Sequence, residues 1–100
     1  MPQLRMLQWW PTAWQSDSGT APTAGEIRQT GVLRNVGRSH NTLTFVVDCN
    51  GVICTATIDP QLPEHTVILL RHILLQHYGE SVAAVEDLNV ELDDVIPHVR

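Results

Sequence analysis

The chain contains no lysine; its six basic side chains are all arginine, set against eleven acids. The formal net charge of −5 is unevenly spread. Residues 1–58 carry four arginines and three acids, whereas residues 59–100 carry two arginines and eight acids. General affinity for nucleic acid needs clustered positive charge, so this balance argues against it. Long apolar runs are missing too. No stretch reaches the roughly 18 residues of a transmembrane helix, so no membrane span is expected. The first residues hold one early arginine, but no long apolar segment and no small-residue cleavage site. A signal peptide is not expected, and the cytoplasm is the default location. Aromatics are scarce outside LQWWPTAW, residues 7–14: only Phe45 and Tyr78 remain.

What is present has the composition of one globular domain: 100 residues, of which 43% are hydrophobic. The most legible stretch is TLTFVVDCNGVICTATID, residues 42–59. Asn50-Gly51 between two β-prone runs predicts a two-residue type I′ hairpin. That turn sets the register, with Cys49 opposite Val52, Val47 opposite Cys54, Phe45 opposite Ala56 and Leu43 opposite Ile58. These eight apolar residues share one face because side chains alternate along a strand. Thr44, Thr55 and Thr57 fall on the other face. A slip of one residue would mix the two sets.

The register also decides how CNGVIC is read. Cys49 and Cys54 become diagonal neighbours, roughly 7 to 8 Å apart. A disulfide would strain the hairpin, since its Cα atoms must lie within about 6.8 Å. Two thiols do not complete a zinc site, and no second CxxC or HxxxH is present. Both cysteines are expected to be buried free thiols.

EIRQTGVLRNV, residues 26–36, is β-prone and is expected to be the first strand, with Gly31 marking a bulge. GRSHN, residues 37–41, predicts a loop into the hairpin. PEHTVILLRHILLQHYG, residues 63–79, predicts a helix, with Pro63 in its first turn and Gly79 as its stop. Val67, Leu70, Leu74 and Tyr78 share its core face. Leu69 and Ile73 lie away from that face, so the helix has more apolar surface than one sheet covers. Residues 81–86 predict a helical turn and residues 88–93 a fourth strand. Glu86, Asp87, Glu91, Asp93 and Asp94 read as an acidic strip that protects a sheet edge.

The expected fold is therefore α+β. A three-stranded antiparallel β-meander is followed by one long helix packed on the sheet and a short C-terminal strand. An N-terminal aromatic arm, residues 1–15, and a linker, residues 16–25, precede a single α+β domain at residues 26–96.

No catalytic, cofactor-binding or metal-binding residues are expected. His65 and His72 lie on one helical face about 10.5 Å apart, too far for one metal ion. DxDxDG calcium spacing is absent. Ser39 and His40 are only sequence neighbours. The expected function is a non-enzymatic interaction protein, its partner being itself as a homodimer, or another protein. The interface candidates are Trp9, Trp10, Trp14, Leu69 and Ile73. Buried tryptophans remove about 150 to 250 Å² each from water, so the arm is expected to fold back onto the apolar surface around Leu69 and Ile73 or onto the uncovered side of the sheet, in its own chain or in a partner subunit. Two alternatives remain. One is single-stranded nucleic-acid binding through the sheet face, with Arg28, Arg34 and Arg38 as candidates. The other is a small-molecule protein or enzyme with a pocket between helix and sheet, near His72 or His77.

Overall fold

The computed structural model describes residues 3–5, 9–77 and 80–91. It is an α+β fold built on one four-stranded antiparallel sheet. Nine elements are described in chain order: β1 (Gln3–Arg5), β2 (Gln15–Ser16), α1 (Ala24–Thr30), β3 (Gly31–Ser39), β4 (Thr42–Cys49), β5 (Val52–Ile58), α2 (Glu64–Leu75), α3 (Val82–Glu86) and β6 (Asn89–Glu91). The main sheet runs β2-β5-β4-β3, and β1 pairs with β6 in a separate two-stranded sheet.

The hairpin has the predicted register, from Leu43 opposite Ile58 to Cys49 opposite Val52. Its turn residues Asn50 and Gly51 have φ of 53° and 87°, the two left-handed positions of a type I′ turn. Asp48 Oδ1 accepts from the Gly51 N–H at 2.8 Å and braces the turn. Leu43, Phe45, Val47, Cys49, Cys54 and Ala56 are buried on the inner face. Thr44 and Thr57 meet on the outer face, their hydroxyls 3.3 Å apart. Both cysteines are free and buried.

The meander of β3, β4 and β5 has a fourth member, which corrects the three-stranded expectation. Gln15 and Ser16 lie antiparallel to Thr55 and Cys54. Asp17 extends this attachment: its N–H donates to the Ile53 carbonyl at 3.0 Å, and its carboxylate accepts from the Ile53 N–H at 3.2 Å. The stretch read as a linker thus begins on the sheet and ends inside α1. The C-terminal strand pairs with Gln3–Arg5 and does not join the main sheet.

Three helices stand among the described residues: the expected long helix is α2, the helical turn expected at residues 81–86 is α3, and α1 was not expected. The start of the expected first strand is α1. Thr23 Oγ1 accepts from the Glu26 N–H, and Glu26 Oε1 accepts from the Thr23 N–H, both at 3.1 Å. This reciprocal capping box satisfies two backbone groups that a helix end leaves open, and it overrides the β propensity that follows. Gly31 ends the helix and starts the strand. A Cβ there would stand 2.4 Å from the Ile27 carbonyl oxygen and 2.8 Å from Val47 Cγ1, so only glycine allows the abrupt turn. The bulge falls between Leu33 and Asn35, not at Gly31. The expected loop at residues 37–41 shrinks to a turn at His40 and Asn41, since pairing continues to Ser39 opposite Thr42.

Helix α2 buries Thr66, Val67, Leu70 and Leu74 against β3 and β4. Pro63 precedes the helix as its N-cap. Tyr78 and Gly79, expected on the core face and at the stop, lie outside the described residues. Ser81 Oγ accepts from the Ala84 N–H at 3.2 Å and caps α3. Val82 and Val85 complete the core beneath α1 and β3.

Candidate functional site

The tryptophan arm is a turn docked on the sheet. Trp14 Nε1 donates to the Pro11 carbonyl at 3.2 Å, which closes PTAW on itself. Trp10 is 7% exposed, with its ring centroid 4.9 Å from that of Phe45 and 6.1 Å from that of Trp14. The tilts of 56° and 47° avoid a face-to-face sandwich, as aromatic quadrupoles favour. Phe45 points from β4 to the inner face, so Trp10 covers a part of that face. Trp9 and Trp14 are half-buried against the same core.

Leu69 and Ile73 are also half-buried against the core, at one border of the buried α2 stripe. The five interface candidates thus contribute to one apolar interior from two elements. On the opposite border lies Ile68, which is 37% exposed, with half-buried Leu75 seven residues on. Burial centred on Thr66, Val67, Leu70 and Leu74 leaves them at its rim.

The three arginines are not brought together. Arg28 approaches Glu86, its Nε 2.8 Å from Oε2; Arg34 lies 3.6 Å from Asp48; Arg38 pairs with Glu64. Each is matched by an acid on a different part of the fold. Of the acidic strip, Glu86 is buried and Asp87 exposed, while Asp93 and Asp94 lie outside the described residues. His65 and His72 are exposed, and His77 Nδ1 sits 3.3 Å from Glu80. Among the described residues, no three of His, Cys, Asp and Glu gather as a metal site. No helix among them is long and apolar enough to cross a membrane.

Among the described residues, two titrating groups are displaced upward. The Cys54 thiol is raised by burial first, then by Cys49, Asp17 and Asp48. Its thiolate, the reactive form, is therefore disfavoured. Burial also pushes the Glu86 carboxyl up; Arg28 pulls it down, Asp87 adds to the rise, and burial prevails. Sequence reasoning placed Glu86 on a solvated strip. The missed signal was its position at the end of VAAVE behind a serine cap, which turns Val82, Val85 and Glu86 inward together.

The free edge of β3 is occupied. Leu33 donates its N–H to the Glu80 carbonyl at 3.0 Å, and the Val36 carbonyl accepts from Arg71 Nε at 3.0 Å. The Val36 N–H is taken by Asn35 Oδ1 at 2.9 Å. Such blocking disfavours strand addition at that edge.

No family model matches this chain, and no curated protein or solved structure is significantly similar to it.

Proposed function

We propose that this protein acts by contact with other chains rather than by catalysis, and that its partner is a second copy of itself. The observation that carries this reading is the exposed rim of α2, where Ile68 and Leu75 stand on one flank. Residues seven apart return to the same side of a helix, so the pair forms a short apolar ridge. Leu69 and Ile73 border the other flank. A two-fold contact pairs one patch with itself, so a single apolar ridge per chain suffices. The blocked edge of β3 favours helix-to-helix packing over sheet extension. In this reading the tryptophans support the interface from within, by fixing the sheet beneath α2. The two buried free thiols fit a reducing compartment such as the cytoplasm.

Light scattering on the full chain across a concentration series tests the proposal. The expected result is a dimer mass that falls to the monomer mass in Ile68→Glu, with the melting temperature of the dilute monomer unchanged. A wild-type chain that stays monomeric at high concentration would overturn it.

A further inference from the structure

The second edge of the main sheet is β5, and β2 closes only part of it. Gln15 and Ser16 stand opposite Thr55 and Cys54, and among the described residues no strand pairing continues past Thr55 on that side. Residues of an antiparallel strand turn their N–H and C=O alternately toward one neighbour and the other. The type I′ turn makes Cys49 and Val52 a hydrogen-bonded pair, so Cys54, Ala56 and Ile58 also turn toward β4. Ile53, Thr55 and Thr57 turn away from it. Asp17 bears out this parity, since its N–H and carboxylate take up the carbonyl and N–H of Ile53. Thr57, two places past Thr55, therefore aims its N–H and C=O outward beyond the end of β2. A groove of about 310 Å³ lies there, with Ala13, Trp14 and Gln15 on one side and Thr55, Ala56 and Thr57 on the other. Thr57 is exposed, so a ligand in the groove reaches it.

We propose that this groove takes an extended, uncharged peptide segment of another protein, which pairs with the main chain of Thr57 as an added strand. A donor and an acceptor set side by side on one residue are the complement of another peptide backbone. The lining decides the class of side chain. None of the six residues is charged, so a charged side chain would lose its water without gaining a counter-charge. Continuing the β2 register sets Trp14 across from Ala56, on the inner side, where it is half-buried against the core. The peptide residue next to the one paired with Thr57 turns to that side and rests an apolar side chain on the indole. The volume is at the lower end of binding sites, which limits the occupant to a short stretch. This site is separate from the rim of α2, and the walls formed by Ala13 and Trp14 admit one chain rather than the edge of a second sheet.

Amide chemical-shift titration of the full chain tests this with acetyl-Ala-Val-Ala-amide. Saturable shifts at Ala13, Thr55 and Thr57 are the expected result. The same peptide methylated on its three residue nitrogens keeps the apolar side chain but loses those donors, and is expected to bind at least about tenfold more weakly. Replacing its valine by glutamate or by lysine should weaken binding to a similar degree. Thr57→Pro removes the outward N–H without touching the pairing to β4, a substitution that edge strands tolerate, and should lose at least about tenfold in affinity. Should that variant fail to fold, Ala13→Tyr, at an exposed position on the groove wall, is expected to fill the groove and give the same loss. Absence of saturable shifts, equal binding of the methylated or charged peptides, or full affinity in the folded variant would each overturn the proposal.

Discussion

Thr66 shows at the residue scale how a satisfactory helix still carries a cost. It faces the core on α2, fully buried, and its hydroxyl has no partner among the described residues. Thr66→Val keeps the branched shape and removes the unpaired polar atom. The variant is expected to gain about 1 kcal/mol in stability, read by chemical denaturation. A loss would mean that the hydroxyl is satisfied. Glu86 makes a prediction in pH. Its folded-state carboxyl titrates above the ordinary glutamate value of about 4.3. Between those two values the native chain holds a proton that the unfolded chain has released. The contribution of Glu86 is therefore fully present below the ordinary value and is lost as pH rises through the folded one. Relative to Glu86→Gln, which does not titrate, the wild type should lose melting temperature as pH rises from 4 to 7. A constant gap between the two proteins would contradict the assignment.

Elements differ in how openly the sequence announces them. The β4–β5 hairpin was fully legible, because Asn50-Gly51 demands left-handed backbone and the apolar alternation then has one register. The buried stripe of α2 was legible from its spacing, and Thr66 was the residue it missed. Helix α1 was misread as strand, although TAGE, residues 23–26, spells its capping box. Local capping outweighed the β-prone run, a contest that composition alone does not resolve. Thr23→Ala should cost about 1 kcal/mol of global stability, measured by denaturant unfolding. An unchanged midpoint would mean that packing alone holds α1. The strand pairings of β2 with β5 and of β1 with β6 were not legible. Both join residues far apart in the chain, and strands of two or three residues leave no periodic trace.

For the whole molecule, the decisive feature is that Trp10 belongs to the interior. The arm's aromatic content identified it as something to be covered, and the energetic argument from buried area pointed inward. Phe45 was not named as the dock, because it looks like any other inward strand residue until the sheet is assembled. Trp10 seated on Phe45 makes this tryptophan part of the core, and in the proposed reading the rim of α2 is left as the surface for association. The direct measurement is a thermal melt of Trp10→Ala beside the wild type, with light scattering on the same samples at low concentration. Truncating a buried tryptophan costs about 3 to 5 kcal/mol, so a large fall in melting temperature at unchanged monomer mass is the predicted result. An unaltered melt would contradict the account and make WWPTAW a free recognition segment.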